Sequence, residues 1–213
     1  VTREPAAARH FAAAADRYGQ LRNTGILGRI RRQEQRAVRE LAPIGNGETV
    51  LDAGCGDGDT MRWIEGQGAV AVGIDLSLPM ARASAAHGLR VAVQDMEAVG
   101  IRPAFDWVLC IGSLEFVADP GVALGNLASC LVPRGRMVLL YPRKGVLGSL
   151  YRLYHRSHDT PIHTLTSRSI ESLLVAAGFA PPSAERRCLL ANVCVTRLVE
   201  PGHSGRLQPH PVL

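Results

Sequence analysis

The sequence predicts an α/β fold: a doubly wound, seven-stranded, mainly parallel sheet that ends in an antiparallel hairpin. Three observations lead there. From Thr49 onward, short apolar runs alternate with helical segments, the order that βαβ units produce. The first run passes into a turn with three alternate glycines, "VLDAGCGDGD" (Val50 to Asp59). The last two runs, in "AERRCLLA" and "VCVTRLV", lie close enough to pair as a hairpin.

The elements follow in order. Residues 5–18 and 26–42 read as helices. In the second, Ile26, Leu27, Ile30, Ala37, Val38 and Leu41 share one face, with Arg29, Arg32, Arg36 and Arg39 elsewhere. Pro43, Gly45 and Gly47 then break the pattern. "TVLDAG" reads as a strand and "DTMRWIEGQG" as a helix closed by glycines. "AVAVGID", "LRVAVQD" and "FDWVLCIG" read as further strands, with a helix through "LPMARASAAHG" between the first two. A helix covers "DPGVALGNLASCLV", and "GRMVLLYP" gives the fifth strand. The last long helix, "TSRSIESLLVAAGF", has a cap at Thr166 or Ser167 and Gly178 at its end. This gives a helical cap over 1–45, a core over 46–200 with a lid at about 142–165, and a loose tail over 201–213.

Composition sets the bounds. At 213 residues, 46% hydrophobic and 20% charged, the chain suits one globular domain. No run reaches the ~20 apolar residues of a membrane span, and the charged N-terminus lacks a signal peptide's apolar middle. A cytoplasmic protein is expected. The five cysteines are scattered without a C-x-x-C pair, and histidines and acids show no ligand spacing, so neither a disulfide framework nor a metal is expected. The net charge of +5 comes almost wholly from arginine, since Lys144 is the only lysine. That excess suits an anionic substrate or nucleic acid, and equally the arginine usage of a GC-rich genome.

The glycine turn carries the chemistry. In an open parallel sheet, ligands sit beyond the carboxyl ends of the strands, where Gly54, Gly56 and Gly58 lie. A triphosphate loop needs Lys followed by Ser or Thr; here Asp57, Asp59 and Thr60 follow, and the carboxylates repel polyphosphate. Asp52 is also acidic for a pyrophosphate pocket, so the loop suits a ligand neutral or positive at that end. Asp75 closes the second strand 21 positions after Gly54, where a carboxylate accepts from both ribose hydroxyls. Asp95 can accept from an adenine amine and Met96 can cover its ring. Ribose, adenine and a cationic end together describe S-adenosylmethionine (SAM).

These residues resemble the class I SAM-dependent methyltransferases, in their small-molecule, ubiquinone- and menaquinone-biosynthesis-like branch. "VLDAGCGDGD" is similar to the family's first motif, "VGIDLSLPMA" to its second, "VQDME" to its third and "FDWVLCIGSLEFVADP" to its fourth. "LVPRGRMVLLYP" resembles the turn and strand that follow, and Phe11, Ala15 and Tyr18 in "FAAAADRY" match a pattern of the N-terminal cap. The resemblance implies a Rossmann-like fold with Gly54, Cys55 and Gly56 facing the methionine part of SAM. It places Asp75 on the ribose, Leu76 and Met80 beside the adenine, and Asp95 and Met96 on its edge and face. Ile111, Gly112 and Ser113 form the floor, Tyr18 closes the cap, and Asp52 organises the loop or reaches the cofactor's amino group. Gly58 can serve close helix packing alone, and Asp106 the strand turn.

The acceptor is less legible, because an in-line methyl transfer asks mainly for alignment and exclusion of water. "IGSLEF" departs from the Pro-Pro-Tyr signature of enzymes that N-methylate bases, and Glu115 stands alone where protein arginine methyltransferases use two glutamates. The lid holds Tyr151, Tyr154, His155, His158 and His163 as base candidates, with His158 foremost beside Asp159. Arg143, Lys144, Arg152 and Arg156 suit an acidic substrate. Glu115 is expected to orient an acceptor near the methyl group or to cap the segment leading into "VADP". The expected activity is methylation, O- ahead of N- or C-, of a small acidic or aromatic metabolite, yielding S-adenosylhomocysteine. RNA methylation and a non-catalytic SAM-binding accessory protein are the alternatives.

Overall fold

The computed structural model describes residues 25–102, 104–145 and 162–199. The first predicted helix with Tyr18, His158 with most of the lid, and the tail lie outside the described residues. Among those described, α1 (Gly25–Leu41) leads into β1 (Thr49–Ala53), α2 (Asp59–Glu65), β2 (Val70–Asp75), α3 (Leu78–Ala86) and β3 (Arg90–Val93). Next come β4 (Phe105–Ile111), a 3-10 turn (Leu114–Phe116), α4 (Pro120–Ser129) and β5 (Leu131–Pro142). Finally α5 (Ser167–Ala176), β6 (Ala184–Arg187) and β7 (Ala191–Arg197) complete the order.

The seven strands form one sheet, as the sequence predicts, in the order β3-β2-β1-β4-β5-β7-β6. The first five pair in parallel, whereas β7 runs antiparallel to both β5 and β6. Strand order reverses between β1 and β4, so a crevice opens at their carboxyl ends.

Side-chain alternation along the central strands divides the core into two layers. Leu51, Val108, Cys110, Met137 and Leu139 pack on one face with Leu124 and Leu127 of α4 and Ile170 and Leu174 of α5. Val50, Trp107, Leu109, Val138 and Leu140 pack on the other with Val38 and Leu41 of α1 and Met61 and Ile64 of α2. Strands apolar on both faces must be covered on both, which is why β1 and β4 read as nearly continuous apolar runs.

Local chemistry explains the boundaries. Asp119 caps α4 by accepting from Gly121 N and Val122 N, and Thr166 caps α5 by accepting from Ser169 N. Asp106 Oδ2 accepts from Thr49 N at 2.8 Å and Thr49 Oγ1 at 2.9 Å, joining the starts of β1 and β4. Two expectations are corrected. The helix expected to reach Val132 stops at Ser129, and β5 begins at Leu131 rather than Gly135. Its register against β4 jumps from Leu131 to Arg136, and Arg134 in that bulge has φ 65°. The first turn of α1 is not part of its buried face: Ile26 and Leu27 are 75% and 61% exposed, and packing begins at Gly28.

Candidate active site

The crevice beyond β1, β2 and β4 is a cavity of about 770 Å³, towards the upper end of the ~300–1,000 Å³ usual for small-ligand sites. The glycine turn forms its base. Gly54 N and Cys55 N donate to Ile74 O, hooking the turn onto the end of β2. Gly54 has φ 79°, and a Cβ there would lie 2.4 Å from the Ser113 Cβ. Ser113 cannot retreat freely, because its Oγ donates to Ala53 O at 2.7 Å. Glycine therefore lets the exits of β1 and β4 touch.

Gly58 serves a different contact, with φ 79° and an added Cβ only 2.3 Å from Leu89 Cδ1 and 2.5 Å from Ser84 Oγ. Replacing it with alanine combines left-handed strain with overpacking, together ~3 kcal/mol. Thermal unfolding should move down by about 6–12 °C for a chain of this size. An unchanged transition would show that α3 can shift without loss.

Asp75 sits at the end of β2 with both oxygens engaged: Oδ2 accepts from Gly56 N and Oδ1 from Ser77 N, each at 2.8 Å. Burial raises its pKa, and the Ser77 and Gly56 N–H groups oppose that rise. Asp52, at the end of β1, is 2% exposed. Burial, then the charges of Asp75, Asp57 and Asp59, push its carboxyl up to about 8.

The opposite wall comes from α1. Arg31 Nη2 and Gln35 Nε2 donate to Asp59 Oδ2 at 2.8 and 2.6 Å. Burial raises Asp59, yet the Arg31 and then Arg62 guanidiniums outweigh it and hold the carboxyl below its usual range. Among the described residues, three buried atoms of the cavity-lining side chains have no hydrogen-bond partner: Asp52 Oδ2, Arg31 Nη1 and Ser77 Oγ. Among the described residues, the lining also carries seven acidic side chains (Glu34, Asp52, Asp57, Asp59, Asp75, Asp95, Glu97) against two guanidiniums, Arg31 and Arg39. Such a wall favours a ligand with positive charge and repels polyphosphate.

Of the residues singled out in the sequence, Asp52, Gly54, Cys55, Gly56, Asp75, Leu76, Met80, Asp95, Met96, Ile111, Gly112 and Ser113 all line this cavity. Glu115 is not on that wall. It is 4% exposed in the 3-10 turn, where its carbonyl accepts from His163 N at 2.8 Å. Just before α4, Ala118 N and Asp119 N donate to Glu97. His158 and Tyr18 lie outside the described residues, while His163 and Ile162 reach the cavity wall. Sequence reasoning missed Arg31 and Gln35. Among the described residues, no group of three or more His, Cys, Asp or Glu could hold a metal, and no helix is long and apolar enough to cross a membrane.

A family model for a methyltransferase domain matches residues 26–183. The chain belongs to the class I SAM-dependent methyltransferases. This methyltransferase is 34% identical to a demethylmenaquinone methyltransferase of Thermus thermophilus over 156 residues, 68% of this chain and 70% of the relative. It is 35% identical to a ubiquinone biosynthesis O-methyltransferase of Bradyrhizobium diazoefficiens, over 53% of this chain and 48% of the relative. The chain thus spans about half the length of that second relative. In fold, the methyltransferase resembles a magnesium protoporphyrin IX methyltransferase from Synechocystis solved with S-adenosylhomocysteine, with a TM-score of 0.74 and 19% identity over 90% of this chain and 98% of the other. SAM is its cofactor, and the unpartnered Asp52 Oδ2 and Arg31 Nη1 suit the two charges of an amino-acid end.

Proposed function

We propose that this methyltransferase moves a methyl group from SAM to a hydroxyl of a small acidic or aromatic metabolite in a biosynthetic pathway, in the cytoplasm. One observation carries the cofactor placement: a buried carboxyl oxygen, Asp52 Oδ2, and a buried guanidinium nitrogen, Arg31 Nη1, each lack a hydrogen-bond partner among the described residues, and both residues line one cavity beside a glycine turn. Asp52 would take the ammonium of the amino-acid end and Arg31 its carboxylate. Asp75 would hold the ribose, Leu76 and Met80 would flank the adenine, and Asp95 and Met96 would meet its edge and face. Ile111, Gly112 and Ser113 would form the floor, with Gly54, Cys55 and Gly56 beside the methionine part. When bound, the cofactor supplies a methyl group already activated by a sulfonium.

The rest falls to this chain's residues. A cap over 1–45 and a lid at about 142–165, closing on a core over 46–200, would exclude water and align the acceptor. A hydroxyl acceptor must lose a proton, which His163, on the cavity wall, would take at an imidazole nitrogen. The Bradyrhizobium relative is an O-methyltransferase, which supports the choice of oxygen.

The test is methyl transfer from radiolabelled SAM to a panel of hydroxylated aromatic acids, amines and RNA. Label on the hydroxylated acids is expected. His163→Gln should lower kcat about 100-fold with KM little changed. Label on RNA alone, or on amines alone, would sink the reading; an unchanged kcat in the variant would remove His163 from it.

A further inference from the structure

We infer that Glu97 is a positioning residue that sets the cofactor's base pocket by fastening Asp95 to the segment that leads into α4. The inference rests on the placement of adenine between these two segments, given above. Glu97 touches both. Its backbone N donates to Asp95 Oδ1 at 2.8 Å, fixing the rotation of that carboxylate and leaving Oδ2 for an exocyclic amine. Its side chain spans the cleft edge: Oε2 accepts from Ala118 N and Oε1 from Asp119 N, each at 2.8 Å. Asn126 of α4 adds a third tie, donating from Nδ2 to Met96 O at 3.3 Å.

The pattern is not that of an ordinary helix cap. Asp119 already caps α4 through Gly121 N and Val122 N. The groups held by Glu97 lie just upstream, next to Phe116, Val117 and Ala118 on the cavity wall. Both carboxylate oxygens accept from adjacent N–H groups near the positive end of a ten-residue helix, a charge-assisted arrangement that resists shear between the segments. A displaced Glu97 would turn Asp95 and widen the gap that a flat base must fill. Base selectivity is the readout, since general loosening would weaken all ligands alike.

The experiment measures dissociation constants by calorimetry for S-adenosylhomocysteine and S-inosylhomocysteine, whose base carries a carbonyl in place of the amine. Wild type, Glu97→Ala, Glu97→Gln, Asp95→Ala and the Asp95→Ala/Glu97→Ala double variant are compared, with melting temperatures alongside. Glu97→Ala is expected to weaken the adenosyl ligand about tenfold and the inosyl ligand less than about twofold. Glu97→Gln, which keeps one acceptor oxygen, should fall between and carries the test if the alanine variant fails to fold. In the Asp95→Ala background, loss of Glu97 should change selectivity no further. Equal weakening of both ligands, or of neither, overturns the inference. If Asp95→Ala alone leaves selectivity intact, the adenine placement is wrong and this inference falls with it.

Discussion

Asp75→Ala is expected to weaken S-adenosylhomocysteine binding by about two to four orders of magnitude. The carboxylate would accept from two ribose hydroxyls, and hydrogen bonds to a charged group are worth ~1.5–3 kcal/mol each. The same oxygens also organise the protein. Oδ2 accepts from Gly56 N and Oδ1 from Ser77 N, so truncation releases the glycine turn and the start of α3 together. Asp75→Asn separates these roles. An amide keeps one acceptor oxygen, but its NH₂ must face an N–H, so it should restore only part of the affinity. Calorimetric titration, with melting temperature as a check on folding, decides the matter. A loss below about threefold in a well-folded Asp75→Ala variant would take the ribose away from this residue.

Asp52 should make the ligand-free protein less stable as pH rises, and Asp52→Asn should remove that slope. Burial, reinforced by Asp75, Asp57 and Asp59, raises its folded-state pKa from 3.8 to about 8. The folded chain therefore holds a proton that the unfolded chain releases in this window. Stability from this group is fully present below the unfolded value and is lost as pH climbs through the folded one. The Asp52→Asn variant should melt above wild type at pH 8, with the two converging at pH 4. Cofactor binding should show the opposite preference. An ammonium beside Asp52 favours the carboxylate, so binding near pH 6.5 should release about one proton, detectable as a buffer-dependent enthalpy. The variant should bind more weakly and release none. Parallel melting curves across pH in wild type and variant would contradict this account.

The legible parts of the molecule were those with a period or a local grammar. Runs such as Val50–Ala53 and Phe105–Ile111 announced buried strands, because a strand covered on both faces has no room for polar residues except at its end. The polar exceptions, Asp52 and Asp75, stood out for that reason, and the glycines between them marked a close approach. Arg31 and Gln35 did not stand out. Helical periodicity sorts residues into packed and solvated faces, and a polar side chain aimed into a cavity is indistinguishable there from a solvated one. Glu97 was hidden because its partners are backbone N–H groups at 118 and 119, contacts that leave no trace in side-chain pattern. The burial of Glu115 in the 3-10 turn was not legible either, because its place in the motif carries no periodicity. The bulge at Arg134 disguised the first residues of β5 as helix end and turn.

The insertion of β7 between β5 and β6 also bears on how the chain is made. During synthesis β5 emerges with β4 ready to pair on one side, but its other edge waits for residues 191–197. Through that interval a twelve-residue strand with a largely apolar sequence presents open N–H and C=O groups, the kind of template on which nascent chains stick to one another. Folding yield, more than the stability of the finished fold, would then depend on how soon the last hairpin follows, and mutations in β7 would show first as lost soluble protein.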